Sequence, residues 1–279
     1  MRIDAHQHFW RYTQNAAEYA WIGESMHRIR RDFMPDDLAP ALDAAGIDGS
    51  VAVQARQSLE ETRWLLELAS SSPKIKAVVG WVPLASETLS QLLDGFCAHP
   101  KFRGLRHVVQ DEPDPAFLDG ERFNSGIRQL TGRGLVYDLL VTARQLPAAL
   151  RFVDRHPNQR FVLDHIAKPV VSPVVDPVWS GQLRELGRRP NVTCKFSGVI
   201  TEAPDWRWSP ALIRPYFDHV LGAFGPGRVM FGSDWPVCLV AGDYSAWVAA
   251  VESLCAPLSL MERASILGGT AAAAYSITA

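Results

Sequence analysis

The chain has 279 residues, 47% hydrophobic and 21% charged, with a formal net charge of −2. That length accommodates one large α/β domain with an extensive core. The near-neutral charge excludes the basic footprint of a nucleic-acid or anionic-membrane binder. Four cysteines, Cys97, Cys194, Cys238 and Cys255, lack C-x-x-C spacing, so free thiols in a reduced compartment are expected. No apolar leader follows Met1, and no apolar run approaches membrane-spanning length. The expectation is therefore a soluble cytoplasmic protein without membrane or nucleic-acid partners.

Short apolar, β-branched runs alternate with longer amphipathic segments. Arg2–Phe9 reads as a strand, and Asp36–Ala45 as a helix between Pro35 and Gly46. Asp48–Gln54 is a second strand, followed by a helix over Leu59–Ser70 with Ser58 as its N-cap. Ile75–Val82 and Phe102–Val109 are strands three and four, with helices over Glu87–Ala98 and within Pro115–Thr131. Leu135–Val141, Arg160–Ile166 and Val192–Ser197 are strands five to seven, paired with helices over Gln145–Arg155, Val178–Arg188 and Pro210–Ala223. Arg228–Phe231 is strand eight, and Tyr244–Leu254 and Met261–Ala274 close the chain. Strict alternation implies parallel strands with crossover helices. Eight such pairs predict an α/β fold of the (β/α)8 TIM-barrel type, one domain spanning residues 1–279. A doubly wound sheet often carries a Gly-rich turn after its first strand; here that position reads His-Phe-Trp-Arg-Tyr, which cannot cradle a pyrophosphate.

Two connections, Trp10–Phe33 and Gly198–Ser209, are long and rich in aromatics, which argues against disorder. Both follow strands, so both belong to the C-terminal mouth of a barrel, where active sites sit.

The sharpest chemical signal is His6-Gln7-His8. Residues two apart on a strand share a face, so Asp4, His6, His8 and Trp10 are expected to line one side. Two imidazoles there suit a divalent metal. Asp4 would either orient a ring nitrogen or be a satisfied buried carboxylate. His165 ends strand six and Asp234 follows strand eight, which neighbours strand one in a closed barrel. His6, His8, His165 and Asp234 thus offer either a metal site or an acid–base constellation. Gln54, Trp81, Arg106, His107 and Lys195 are polar or aromatic residues in or just after other strands, and Arg106 or Lys168 could bind a carbonyl or oxyanion.

Together, the segments Asp-Ala-His-Gln-His-Phe-Trp, Gly-Leu-Arg-His, Asp-His-Ile-Ala-Lys-Pro, Lys-Phe-Ser-Gly and Phe-Gly-Ser-Asp-Trp-Pro resemble the amidohydrolase superfamily, in its sugar-lactonase branch. The resemblance covers nearly the whole chain. It implies hydrolysis of an aldonolactone, L-fuconolactone by preference, with Asp234 as general base. His6, His8 and His165 would polarise the carbonyl or, with Asp234, hold a metal. Trp10 would pack on the sugar, and His27, Gln54, Arg106, His107 and Lys168 would contact it. Binuclear members carry a bridging lysine or glutamate at the end of strand four. Here that end reads Leu105-Arg106-His107-Val108, so the resemblance implies at most one divalent metal, zinc by preference, not necessarily required for activity. The expected partner is a small sugar lactone, bound by a monomer or homodimer. The competing readings are a metal-dependent decarboxylase of the same superfamily, a hydrolase of a dicarboxylate lactone, and a non-catalytic sugar-binding barrel.

Overall fold

The structure, a computed structural model, describes residues 1–278. Residue 279, the last of the expected domain span, lies outside the described residues. Eight parallel strands form one sheet in sequential order: β1 (Ile3–Gln7), β2 (Gly49–Val53), β3 (Ile75–Gly80), β4 (Phe102–His107), β5 (Val136–Leu139), β6 (Phe161–Leu163), β7 (Val192–Phe196) and β8 (Val229–Phe231). The last strand returns to the first. Asp234 N–H donates to His6 O at 2.8 Å, His8 N–H donates to Trp235 O at 2.7 Å, and Gln7 bridges Trp235 in parallel. These bonds lie just beyond β8 and close the barrel at its C-terminal end. No helix of the described residues is long and apolar enough to cross a membrane.

Small and β-branched side chains fill the barrel's lower interior. Ile3, Ala5, Val51, Val53, Ala77, Val79, Val136, Val162 and Met230 form one cluster, joined from the C-terminal segment by Ala271 and Tyr275. The other core lies between sheet and helices. Ser58 caps the helix Leu59–Ser71 as its residue type predicts, its Oγ accepting from Glu61 N–H at 3.1 Å.

Two local departures shape the site. The β1–β2 register shifts between Asp4 and Gln7, which breaks the expected alternation. Asp4 does not share a face with the histidines: it meets Tyr244, on the helix Tyr244–Cys255 outside the sheet. Strand six, expected to run to Ile166, stops at Leu163. Beyond it His165, Ile166, Ala167 and Lys168 all have positive φ, between 47° and 61°.

Helix Glu121–Gly132 presses on the loop after β3: a Cβ at Gly126 would lie 2.2 Å from Leu84 O. Gly95, in helix Leu89–Cys97, has open space around it. Helix propensity favours alanine over glycine by about 1 kcal/mol, whereas overpacking costs about 1–3 kcal/mol. We expect Gly126→Ala to lower Tm by several degrees and Gly95→Ala to raise it slightly. Equal shifts in a thermal melt would contradict this packing.

Candidate active site

His6 and His8 project into the barrel mouth from the end of β1, with Nε2 atoms 3.1 Å apart. His8 Nδ1 lies 2.8 Å from Val53 O. A carbonyl only accepts, so Nδ1 carries the proton and Nε2 presents its lone pair to the site. His8 Nε2 is 3.3 Å from Asp234 Oδ1, and His6 Nε2 is 3.8 Å from it. The seam hydrogen bonds from Asp234 N–H and His8 N–H produce this approach. Asp4 supports the same turn from outside, its carboxylate accepting from Ser233 N–H at 2.8 Å and from Tyr244 Oη at 3.2 Å. It bonds no ring nitrogen, so of its two expected roles it fills that of a satisfied buried carboxylate. Burial raises its pKa to about 6.

His165 reaches the site through the left-handed run. Each such residue costs roughly 1–2 kcal/mol, and Ile166 is β-branched, the least tolerant type. Trp179 Nε1–H holds the run by donating to Ile166 O at 2.9 Å. His165 Nδ1 pairs with Ser197 Oγ at 2.9 Å, which leaves Nε2 3.9 Å from Asp234 Oδ1. Gly198, with φ of 65°, gives the ring room: a Cβ there would lie 2.6 Å from His165 Nδ1.

Beneath the imidazoles lies a fully buried charge cluster. Lys195 Nζ is 2.5 Å from Asp138, 3.0 Å from Asp164 Oδ1 and 3.1 Å from His6 Nδ1. Arg106 Nη1 donates to Asp164 Oδ2 at 3.1 Å, and Tyr275 Oη donates to Asp138 at 2.9 Å. Burial, then the Lys195 charge, holds His6 well below its ordinary pKa. Burial also lowers His165, to about 4. For Asp234, burial pushes upward, but His165, His8 and His6 outweigh it and hold the carboxyl below its ordinary range. Neutral imidazoles beside an ionised carboxylate are the protonation states that metal ligation requires.

The donor set fits one divalent ion. A tetrahedron with bonds of about 2.0–2.1 Å has edges of about 3.3 Å. The His6–His8–Asp234 separations of 3.1, 3.3 and 3.8 Å lie near that value; His165 Nε2, 3.9 Å from the same carboxylate oxygen, stands outside that group of three and is the candidate for a fourth position. A second donor group, His6, Asp164 and His165, is present too. Its carboxylate already faces Lys195 and Arg106, so two cations stand where another ion would sit.

A cavity of about 550 Å³ opens above these groups, lined by His8, Arg106, His165, Lys168 and Asp234 among others. Four residues expected at the substrate lie elsewhere. Trp10 is fully buried, its Nε1–H bonded to Arg31 O and its ring against Tyr19, Trp21 and Phe33. Gln54 is buried beneath Arg106, its Oε1 and its carbonyl both accepting from that guanidinium. His107 is occupied by Glu112 at 2.6 Å, Trp81 and the face of Phe117. His27, on the turn Glu24–Ile29, does not line the cavity. Trp21, one of the aromatics of the long first loop, lines it, and so do Glu18, Arg56, Gln57, Gln110 and Asp111, which the sequence reading does not single out. They sit in loops, where residue type alone does not distinguish a solvated surface from a pocket wall. Asp164 was legible only as the neighbour of His165 in Leu-Asp-His.

Fold and site together define a barrel enzyme that gathers imidazoles and a carboxylate at the C-terminal ends of its strands. The chain belongs to the amidohydrolase family, whose model matches residues 3–277. Among its relatives, L-fucono-1,5-lactonase of Burkholderia multivorans is 44% identical, covering 99% of this chain and 96% of that protein. L-fucono-1,5-lactonase of Burkholderia ambifaria is 40% identical with the same coverage. An amidohydrolase from Burkholderia multivorans, solved with bound zinc, superposes with a TM-score of 0.95 at 44% identity, each chain covered completely.

Gly198→Ala would drive its methyl into His165. We expect divalent-ion affinity to fall about 10–100-fold, the scale for disturbed ligand support. Competition with a chelating dye measures it, with circular dichroism as the check on folding. Unchanged affinity in a folded variant would contradict the assignment of His165 to the donor set.

Proposed function

We propose that this protein hydrolyses a sugar lactone, L-fucono-1,5-lactone, to the aldonate in L-fucose catabolism. The names of the two full-length Burkholderia relatives support the substrate. The observation that carries the reading is the charge balance of the cavity. Arg56, Arg106 and Lys168 are matched by Glu18, Asp111 and Asp234. Two of the cations have carboxylate partners, Arg56 with Glu18 in the wall and Lys168 with Glu202, outside the lining, at 3.1 Å. Such a lining suits a neutral polyhydroxylated ring. A dicarboxylate lactone or an aromatic acid awaiting decarboxylation needs an excess of cations, so both rank behind.

Asp234 is the base. It takes a proton from water as the water oxygen adds to the lactone carbonyl carbon, and it returns that proton to the ring oxygen as the bond from carbonyl carbon to ring oxygen breaks. The products are the aldonate and one released proton. Arg106, anchored by Asp164 and Gln54, offers a fixed cation for the oxyanion. Lys168, poised at the end of the left-handed run, is a second donor toward substrate oxygen. Zinc is the ion we propose for His6, His8, His165 and Asp234, where it would supply Lewis acidity. The same reading has one domain over residues 1–279, acting in the cytoplasm on a small molecule as a monomer or homodimer.

Asp234→Asn keeps the shape of the side chain and removes the base. We expect kcat for L-fucono-1,5-lactone, followed by acid release, to fall about 10²–10⁴-fold. Near-normal turnover in the folded variant would remove Asp234 from this role. Elemental analysis should find about one zinc per chain in the wild type, and His8→Ala should lose it; zinc retained by His8→Ala would exclude the proposed ligand set.

A further inference from the structure

The wall of the cavity nearest the loops after β1 and β2 carries an arginine held in an unusual way. Glu61, on helix Leu59–Ser71, is fully buried. Its carboxylate accepts from Ala55 N–H, from Arg56 N–H at 3.0 Å and from Arg56 Nε–H at 2.6 Å. One carboxylate therefore fixes both the backbone and the side chain of Arg56. A buried ion pair brings little net stability, because desolvating the carboxylate offsets the attraction. What this pair does fix is direction: the guanidinium cannot rotate away from the wall. Its Nη1 reaches Glu18 in the long loop after β1. Arg56 side-chain exposure is only 16%, yet its Nη2 has no partner among the described residues and is not a buried atom. Two N–H groups of a pre-positioned cation therefore remain available at the cavity, beside a Glu18 carboxylate that is half exposed.

We propose that Arg56 and Glu18 form a specificity subsite that binds hydroxyl groups of the lactone ring remote from the reacting carbonyl. This rests on the lactonase reading. The guanidinium donates to a hydroxyl oxygen and the carboxylate accepts a hydroxyl proton, so the pair matches adjacent hydroxyls that each need one donor or acceptor. The pair is net neutral, so it selects hydroxylation rather than charge. Trp21, half exposed at the same wall, adds an apolar surface for a ring face. Glu61 is then a positioning residue, acting only through Arg56.

The test compares L-fucono-1,5-lactone with δ-valerolactone, which has the same ring and no hydroxyls. Hydrogen bonds to charged groups set the scale of discrimination. Arg56→Met should lower the ratio of kcat/KM for the hydroxylated over the plain lactone at least ~10-fold, equivalent to about 1.4 kcal/mol. The loss should fall mainly on KM. If Arg56→Met leaves Glu61 unpaired and fails to fold, Arg56→Lys and Glu18→Gln carry the test: each keeps a polar group for the fold but removes the forked guanidinium or the charged acceptor, and each should lower the same ratio. A ratio unchanged in the folded variants would overturn the subsite while leaving lactone hydrolysis standing. Wild-type protein that opens neither lactone would overturn the lactonase reading itself, and this inference with it.

Discussion

The site depends on how the barrel is closed. Strand eight is short, ending at Phe231, and its pairing with strand one is made mostly by the segment just beyond it. Asp234 donates its backbone N–H to His6 O, and His8 donates its own to Trp235 O. These are structural bonds, needed because an unpaired sheet edge at this depth would leave buried polar groups unsatisfied. They also set the Asp234 carboxylate against the His6 and His8 rings. Asp234 itself sits at a φ of 57°, a conformation that the seam stabilises and that asparagine or aspartate tolerates better than most residues. Closure and chemistry are therefore one arrangement, and a change that loosens the seam disperses the site.

A second constraint acts from below. The interior under the imidazoles is not a purely apolar plug. Asp138, Asp164, Lys195 and Arg106 are all buried there and pair with one another, although Arg106 Nε and Asp164 Oδ1 have no hydrogen-bond partner among the described residues. Removing one partner from such a cluster leaves an uncompensated charge at a cost of about 3–5 kcal/mol. The cluster keeps His6 between a carboxylate and two cations. That surrounding favours a neutral ring and disfavours a second ion beside the first.

The element order was readable from sequence because helix and strand periods differ, and eight repetitions of that difference leave few topologies. His6, His8, His165 and Asp234 were readable because each ends or directly follows a strand, where side-chain direction is tied to the mouth. Strand alternation breaks at Asp4, since a bulge of one residue cannot be seen in residue types. Trp10, expected on the same face, packs into the core, and Gln54, expected at a strand end, meets Arg106. Residue type gave no sign of this, because aromatic and amide side chains serve packing and binding equally well. The loop residues Glu18 and Arg56 were invisible for a related reason. Their meaning comes from Glu61, a buried carboxylate that reads in sequence as an ordinary first-turn helix acid.

In the proposed reaction the seam residues direct water to a lactone carbonyl. Isotope tracing tests this directly: the reaction is run in ¹⁸O-labelled water with L-fucono-1,5-lactone, and the product is read by mass spectrometry. One labelled oxygen, located in the carboxylate, is expected. Label at the ring-derived hydroxyl, or release of carbon dioxide, would contradict it.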